Sequence, residues 1–596
     1  MREAETVLGI IRERGQKGLP LEDIYRQLFN PHLYLMAYSK IYSNDGAMTP
    51  GTTRETADGM SMAKIERLIK DIRQETYHWT PVRRVYIPKT NGKTRPLGIT
   101  TWSDKLLQEI MRLILEAYYE PQFSPSSNGF RPKRGCRTAL NSITTYWTGT
   151  KWYIEGDISK YFDTISHGKL IDILREKLKD NRFIRLIENL LKAGYLEDWK
   201  WHQTLSGTPQ GSGVSPILAN IYLDRFDKYV ENELIPEYTN GAQRTSNAEY
   251  RSLQRKIIGL RKKGEIKEAQ KLWVKLQKMP SLDTKDPNYR RLRYVRYADD
   301  TLMGLIGTKA EAEEIKRKIK EWLHNNLELE LSEEKTLITH AQTKAAKFLG
   351  YEIVTQQSNE KHTNGRRSIN GIIGLRVPSD VIQKKCARYM RKGKAAHRNE
   401  LINDADFSII SKYQDEYRGI VTYYKLAVNV SWFNKLHYVM QGSLLRTLAR
   451  KHKTRLTAMK TKYKAQIDTP HGPMSGLRME VAREGKQPLV AQFGGIPLRR
   501  DKKAVLRDIN PEQHYSKGGR TEIIKRLLAN ECEICGSTEK VEVHHIRKLT
   551  DLKKDGRKEK PAWVQRMAIR KRKTLMVCRK CHNEIHAGKS QKPPSV

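Results

Sequence analysis

Two hydrophobic periods alternate along the chain and mark out its elements. After Ser61, residues Ile65, Leu68, Ile69 and Ile72 recur on one helical face. Ser103 is expected to cap a second helix with a stripe of Leu106, Leu107, Ile110, Met111, Ile114 and Leu115. Trp152-Tyr153-Ile154 predicts a buried strand ending at Asp157. Tyr294-Val295-Arg296 and Thr301-Leu302-Met303-Gly304-Leu305 flank Tyr297-Ala298-Asp299-Asp300, which predicts a tight hairpin with two carboxylates at its tip. Thr308 and Glu311 form a capping box opening a helix with Ile315, Ile319, Trp322 and Leu323 inward. An ordinary core explains all of these stripes. The twin acids are different: adjacent like charges cost free energy unless a cation lies between them, and a hard divalent ion such as Mg²⁺ fits oxygen donors. A solvated Asp-Asp turn is the plain alternative.

At 596 residues the chain exceeds one hydrophobic core, so several domains are expected. Residues 238–293 are charged and helix-prone, an expected insertion between strands of the main domain. A second helical region begins near residue 377 and ends near 464. Beyond it, 465–519 is a basic stretch containing Gly and Pro with few large apolar residues. It is expected to be a poorly packed linker or binding segment that orders on nucleic acid. Lys and Arg number 110 against 67 Asp and Glu, a net charge of +43 that favours a polyanionic partner, nucleic acid first. A membrane partner is disfavoured, because the basic residues are spread along the chain and no apolar run approaches a span. Glu3 and Glu5 do not suit a secretory signal. Four of six cysteines form two Cys-x-x-Cys pairs near the C-terminus, with Cys136 and Cys386 alone, which suggests metal binding in a reducing compartment.

Further motifs accompany the twin acids. Glu155-Gly156-Asp157-Ile158-Ser159-Lys160-Tyr161-Phe162-Asp163 puts an acid at a strand end, and Thr208-Pro209-Gln210-Gly211-Ser212-Gly213 is a glycine-rich turn before a helix near Pro216. With Tyr86-Ile87-Pro88-Lys89, Arg95-Pro96-Leu97-Gly98-Ile99, Asn128-Gly129-Phe130-Arg131 and Phe348-Leu349-Gly350-Tyr351, the chain resembles the group II intron reverse transcriptase/maturase family over nearly its whole length. The resemblance implies an α+β multidomain protein. Residues 1–375 would be the fingers and palm of a right-hand polymerase with an antiparallel sheet, and 376–464 a helical thumb or maturase domain X. It also implies that Asp157, Asp299 and Asp300 hold two Mg²⁺ ions, while Lys89 and Arg95 contact the incoming dNTP triphosphate. Phe162 would pack where a ribose 2′-hydroxyl would sit, although a core Phe fills the same space. Gln210 and Gly211 would line the nucleotide pocket. In domain X, Arg418, Tyr423, Tyr424, Lys451 and Lys453 are the candidate RNA contacts, since mixed aromatic and basic side chains suit RNA. The same face could equally grip a template–primer duplex.

Cys532, Cys535, Cys578 and Cys581 supply the thiolates of a structural tetrahedral Zn²⁺ site. The pairs lie farther apart than in a zinc ribbon, which suggests an inserted catalytic unit. That unit contains Val541-Glu542-Val543-His544-His545-Ile546, and beyond it His582 and His586 stand four residues apart. Here the chain resembles an HNH endonuclease, a ββα-metal fold, over residues 520–596. The resemblance implies that His545 is the general base and that His544, His582 and His586 approach one catalytic divalent ion. The alternative is a zinc knuckle that only binds DNA. The middle Asn of the family would fall near Arg572-Lys573-Thr574, where no Asn stands.

The expected function is a group II intron-encoded protein that binds its intron RNA to assist splicing. It would nick target DNA held by 465–519 and extend the cut end by copying the intron. A splicing-only maturase and a reverse transcriptase of another retroelement class are the alternatives. No transit-like extension precedes the matching region, so a bacterial cytoplasm is expected, with an organelle matrix as the alternative.

Overall fold

Alternating apolar positions place four antiparallel strands at the centre of the molecule, in the order Arg291–Tyr297, Asp300–Ile306, Trp152–Asp157 and Leu337–His340. The computed structural model describes residues 2–44, 46–88, 92, 94–197, 200–202, 206–207, 211–358, 360–363, 366–483, 485–501, 517–548, 552, 561–570 and 572–588. Helices Trp102–Tyr119, Ser215–Tyr229 and Lys309–Leu327 bury their apolar stripes with one face of this sheet. The stripe from Leu106 to Leu115 lies in the core as expected. Its cap differs: Thr101, not Ser103, precedes the helix, and Thr101 Oγ1 accepts from the Asp104 amide at 3.4 Å. Thr101 has extended backbone and its hydroxyl donates back to Asp104 (2.7 Å), whereas Ser103 lies in the first turn and donates to Glu55. Ser61 and the Thr308–Glu311 box cap their helices as the sequence suggests.

A second sheet pairs Val82–Pro88 with Thr94–Ile99 on one edge and with Tyr195–Glu197 on the other, and Tyr195–Glu197 pairs in turn with Lys200–His202. Within 238–293, helices Ala248–Lys262 and Ile266–Gln277 form a hairpin with its own small core of Ile257, Ala269 and Leu276. Helices Ser379–Ala387, Asp406–Tyr423, Phe433–Lys451 and Leu456–Tyr463 make up the next region.

The expected loose linker after residue 464 is instead a folded sheet. Lys464–Ile467, Met474–Arg483 and Lys486–Phe493 pair antiparallel and pack on helix Asp406–Tyr423. Only a few side chains anchor it. Ile467, Leu477, Ala491 and Phe493 are buried, and the Phe493 ring stacks on His437 at 5.1 Å. One apolar face on short strands suffices when a helix covers it, and so sparse a signal reads as a linker in sequence. Residues 502–516 of the basic stretch lie outside the described residues.

At the C-terminus, Val541–His545 and Thr574–Cys578 pair antiparallel and helix Arg579–His586 follows, in ββα order. Helix Lys517–Ala529 packs against helix Pro31–Ile41, and the hairpin's Val541, Val543 and Met576 join the core that contains Met60 and Trp102. No helix among the described residues is long and apolar enough to cross a membrane.

Candidate active sites

Strand pairing brings the three aspartates together. Asp157 ends its strand directly opposite Asp300, and Asp299 lies in the two-residue turn that closes the hairpin. The turn needs Ala298 in the left-handed region (φ +55°). Gly129 presses against it, so close that a Cβ there would stand 2.3 Å from the Ala298 amide nitrogen. The Asn128-Gly129-Phe130-Arg131 block therefore abuts the acid-bearing tip, and only glycine permits the approach.

A buried ionic network holds the turn from beneath. Arg296 and Asp227 are fully buried and form a two-pronged pair at 2.8 and 2.6 Å. Arg296 also donates to the Ala298 carbonyl (2.9 Å) and to Ser127 Oγ (2.9 Å), and the Tyr294 hydroxyl donates to Asp227 (2.7 Å). The guanidinium fork thus fixes the backbone that aims Asp299.

Burial raises the carboxyl of Asp300 to about 6, and the charges of Asp299 and Asp157 push it the same way. Asp299 is raised as well, by burial first; its own amide opposes this, Asp157 adds to it, and Arg95 and Lys335 counter it. The exposed Lys335 ammonium bridges both Asp157 oxygens at 2.9 and 3.0 Å. Three hard oxygen donors that repel one another, already attracting a lysine cation, are a donor set that suits Mg²⁺.

The other polymerase motifs surround this point. Arg95 lies on Thr94–Ile99 opposite Ile87, exposed, with its charge acting on Asp299. Phe162 is half-buried, its ring edge-on to Phe130 at 6.2 Å. Gly211 has φ +109°, and a Cβ there would stand 2.5 Å from the Gly98 carbonyl, so Gly211 rests on the Arg95-to-Ile99 strand. Lys89 and Gln210 lie outside the described residues.

The five candidate RNA contacts divide. Arg418 and Lys453 are exposed. Tyr423 and Tyr424 instead tie the helical region to the sheet: their hydroxyls donate to the carbonyls of Leu349 (2.7 Å) and Gly350 (3.1 Å), and Tyr351 donates to the Tyr423 carbonyl. Lys451 forms an ion pair with Asp406 at 2.6 Å, alongside His452 and Tyr463. Aromatic and basic composition cannot tell an outward side chain from one turned into a joint: Tyr424 is buried, while Tyr423 and Lys451 keep part of their surface open beside these internal bonds.

Near the C-terminus, the sulfurs of Cys532, Cys535, Cys578 and Cys581 all lie within 4.8 Å of one another, with Cys535 and Cys578 at 3.7 Å. Burial and neighbouring thiols push the Cys581 thiol up. Four converging sulfurs fit a tetrahedral Zn²⁺. A separate group brings together His544, His582, His586 and an acid not anticipated from sequence, Asp58, again within 4.8 Å. His582 Nε2 faces Asp58 (3.2 Å), His544 Nδ1 (3.1 Å) and His586 Nε2 (3.1 Å), while its Nδ1 bonds Glu542 at 2.6 Å. Burial opposes charge on His582, but Asp58 and Glu542 raise it to about 9. A carboxylate behind one ring nitrogen leaves the other directed at a cation, the usual support of a metal-binding imidazole. His545 points the other way. It is 4% exposed, 3.4 Å from the Tyr38 hydroxyl, and burial holds it down at about 4.

Comparison with known proteins matches three stretches of the chain. Residues 87–353 match the reverse transcriptase (RNA-dependent DNA polymerase) family, 375–468 the type II intron maturase family, and 532–582 the AI2M/AI1M-like HNH endonuclease family. The group II intron-encoded protein LtrA of Lactococcus lactis subsp. cremoris is 38% identical over 98% of this chain and 99% of its own length. The putative COX1/OXI3 intron 1 protein of Saccharomyces cerevisiae is 33% identical over 94% of this chain and 68% of its own. Protein YkfC of Escherichia coli is 32% identical over 57% of this chain and 85% of its own. Matched end to end and across all three domains, the chain belongs to the group II intron-encoded proteins, an RNA-directed DNA polymerase joined to a maturase and an HNH endonuclease domain.

Proposed function

We propose that the chain binds its intron RNA to assist splicing, nicks target DNA with its C-terminal unit, and extends the cut end by copying the RNA. The observation that carries the copying step is the register that sets Asp157 opposite Asp300 with Asp299 in the adjoining turn. In the right-hand reading, 1–375 are fingers and palm and 376–464 the thumb. Asp157, Asp299 and Asp300 would hold a pair of Mg²⁺ ions, which when bound supply activation of the primer 3′-hydroxyl and neutralisation of the leaving pyrophosphate. Arg95, with Lys89, binds the dNTP triphosphate; Phe162 occupies the ribose 2′ side; Gly211, with Gln210, lets backbone approach the nucleotide. Arg418 and Lys453 contact RNA phosphates. The basic stretch 465–519 holds DNA, consistent with the net charge of +43. Full-length similarity to a Lactococcus relative favours a bacterial cytoplasm.

In the nuclease, His544, His582 and His586 would hold one divalent ion, which when bound supplies charge stabilisation at the scissile phosphate. His545 takes the proton from the attacking water. His545→Ala is expected to stop strand nicking while primer extension on a supplied oligonucleotide continues; a gel assay of both reactions checks this, and continued nicking would return the cluster to DNA binding alone. The four-cysteine set would hold structural Zn²⁺. Chelation or Cys578→Ser is expected to unfold the module, because such ions contribute on the order of 10 kcal/mol to small domains. Hydrogen exchange across 532–586 reports the loss, and protection retained without zinc contradicts it.

A further inference from the structure

The N-terminal region is wedged into the nuclease. Residues 58–60 pair with the edge of the Val541–His545 strand: the Gly59 amide donates to the Val543 carbonyl (3.0 Å), and the Val543 amide donates to the Met60 carbonyl (2.9 Å). The His545 amide donates to Asp58 Oδ1 at 2.6 Å, so the strand positions the acid. Asp58 Oδ2 then reaches His586 Nε2 at 2.8 Å, and Oδ1 reaches His582 Nε2 at 3.2 Å and His544 Nδ1 at 3.5 Å. The same docking hides the base. Successive strand residues face opposite ways. His544 therefore faces Asp58, while His545 is pressed against Tyr38 and, ring to ring at 5.7 Å, against Tyr42 of the N-terminal region.

We propose that Asp58 is the fourth ligand of the nuclease ion, and that this contact keeps the nuclease latent until the N-terminal region moves away. The proposal rests on the nuclease reading above. Three imidazoles and a carboxylate form a complete tetrahedral set for a borderline ion such as Zn²⁺, whereas a catalytic ion keeps one position for water or substrate. With Asp58 in that position and His545 buried, neither the scissile phosphate nor the attacking water has a place. Withdrawing residues 58–60 opens both at once. Target DNA is the partner whose charge would compete with Asp58 for the ion and for the surrounding histidines.

Two readouts on the full-length protein, with zinc at the four-cysteine site alone and the histidine site free of metal, test this with Asp58→Ala and with Asp58→Asn, which keeps an oxygen acceptor for the His545 amide. The first is hydrogen exchange at the Gly59 and Val543 amides with and without Mn²⁺. An ion that binds only the docked form, at tenfold excess over its dissociation constant, slows this exchange about tenfold. The slowing is expected in the parent, to be weaker in Asp58→Asn and absent in Asp58→Ala. Equal slowing in all three overturns the ligand assignment. The second is nicking of a supercoiled plasmid carrying the joined flanking exons by the RNA-bound protein. Both variants are expected to nick about fivefold faster or more, as the docked population falls. Slower nicking overturns latency, because Asp58 would then serve catalysis. A plasmid left intact by every protein, parent included, overturns latency together with the nuclease reading, while the exchange contrast still decides ligation on its own.

Discussion

Asp299→Ala is expected to lower cDNA synthesis by about 10³-fold or more while intron RNA binding stays within about twofold. Several kcal/mol of transition-state charge stabilisation depends on the ions that the acids hold, and about 4 kcal/mol corresponds to three decades in rate. The residue sits in a half-buried turn whose backbone is held by Arg296, so removing its carboxylate relieves repulsion on Asp300 instead of opening a cavity. The fold should therefore survive. Extension of a primed RNA template, with filter binding of the intron transcript run in parallel, checks both halves. Equal loss of RNA binding would show that copying and RNA recognition are not separable in this chain.

Arg296→Met is expected to destabilise the reverse transcriptase domain by about 3–5 kcal/mol, the cost of leaving Asp227 charged, buried and unpaired. Adding Asp227→Leu should restore much of that loss, because both charges are then gone and an apolar pair fills similar space. Activity should not return with stability. Arg296 also bonds the Ala298 carbonyl that shapes the turn, and no apolar residue replaces that bond. Urea unfolding beside primer extension separates the two effects. Restored stability with restored activity would reduce Arg296 to a packing role.

Much of the polymerase site could be read from sequence because its parts are local. A two-residue turn between apolar runs allows few geometries, so the hairpin Arg291–Tyr297 and Asp300–Ile306, with its two acids at or beside the turn, is visible in the pattern. The Cys-x-x-Cys pairs and the His582/His586 spacing were legible for the same reason, since short-range spacing determines which side chains share a face. What pattern could not supply were partners distant in sequence. Asp227 lies 69 residues from Arg296, and Asp58 lies 487 residues from His545. Each is an ordinary acid in its own neighbourhood. Direction was equally hidden at Tyr423 and Tyr424, whose rings turn toward Leu349 and Gly350 instead of outward. The sheet of residues 464–493 leaves no visible period in the sequence, because Ile467, Leu477, Ala491 and Phe493 are too few to form one.

The measurement that bears most directly on the three-aspartate site is primer extension by the purified full-length chain on an RNA template, with Mg²⁺ titrated, for the parent and for Asp157→Asn. Asp157 is opposite Asp300 and in contact with Lys335, so Asn preserves shape and removes only charge. Extension by the parent that rises with Mg²⁺, with essentially none by Asp157→Asn at any Mg²⁺ concentration, is the predicted result. Extension at parental rates by Asp157→Asn, or extension by the parent that ignores Mg²⁺, would contradict it.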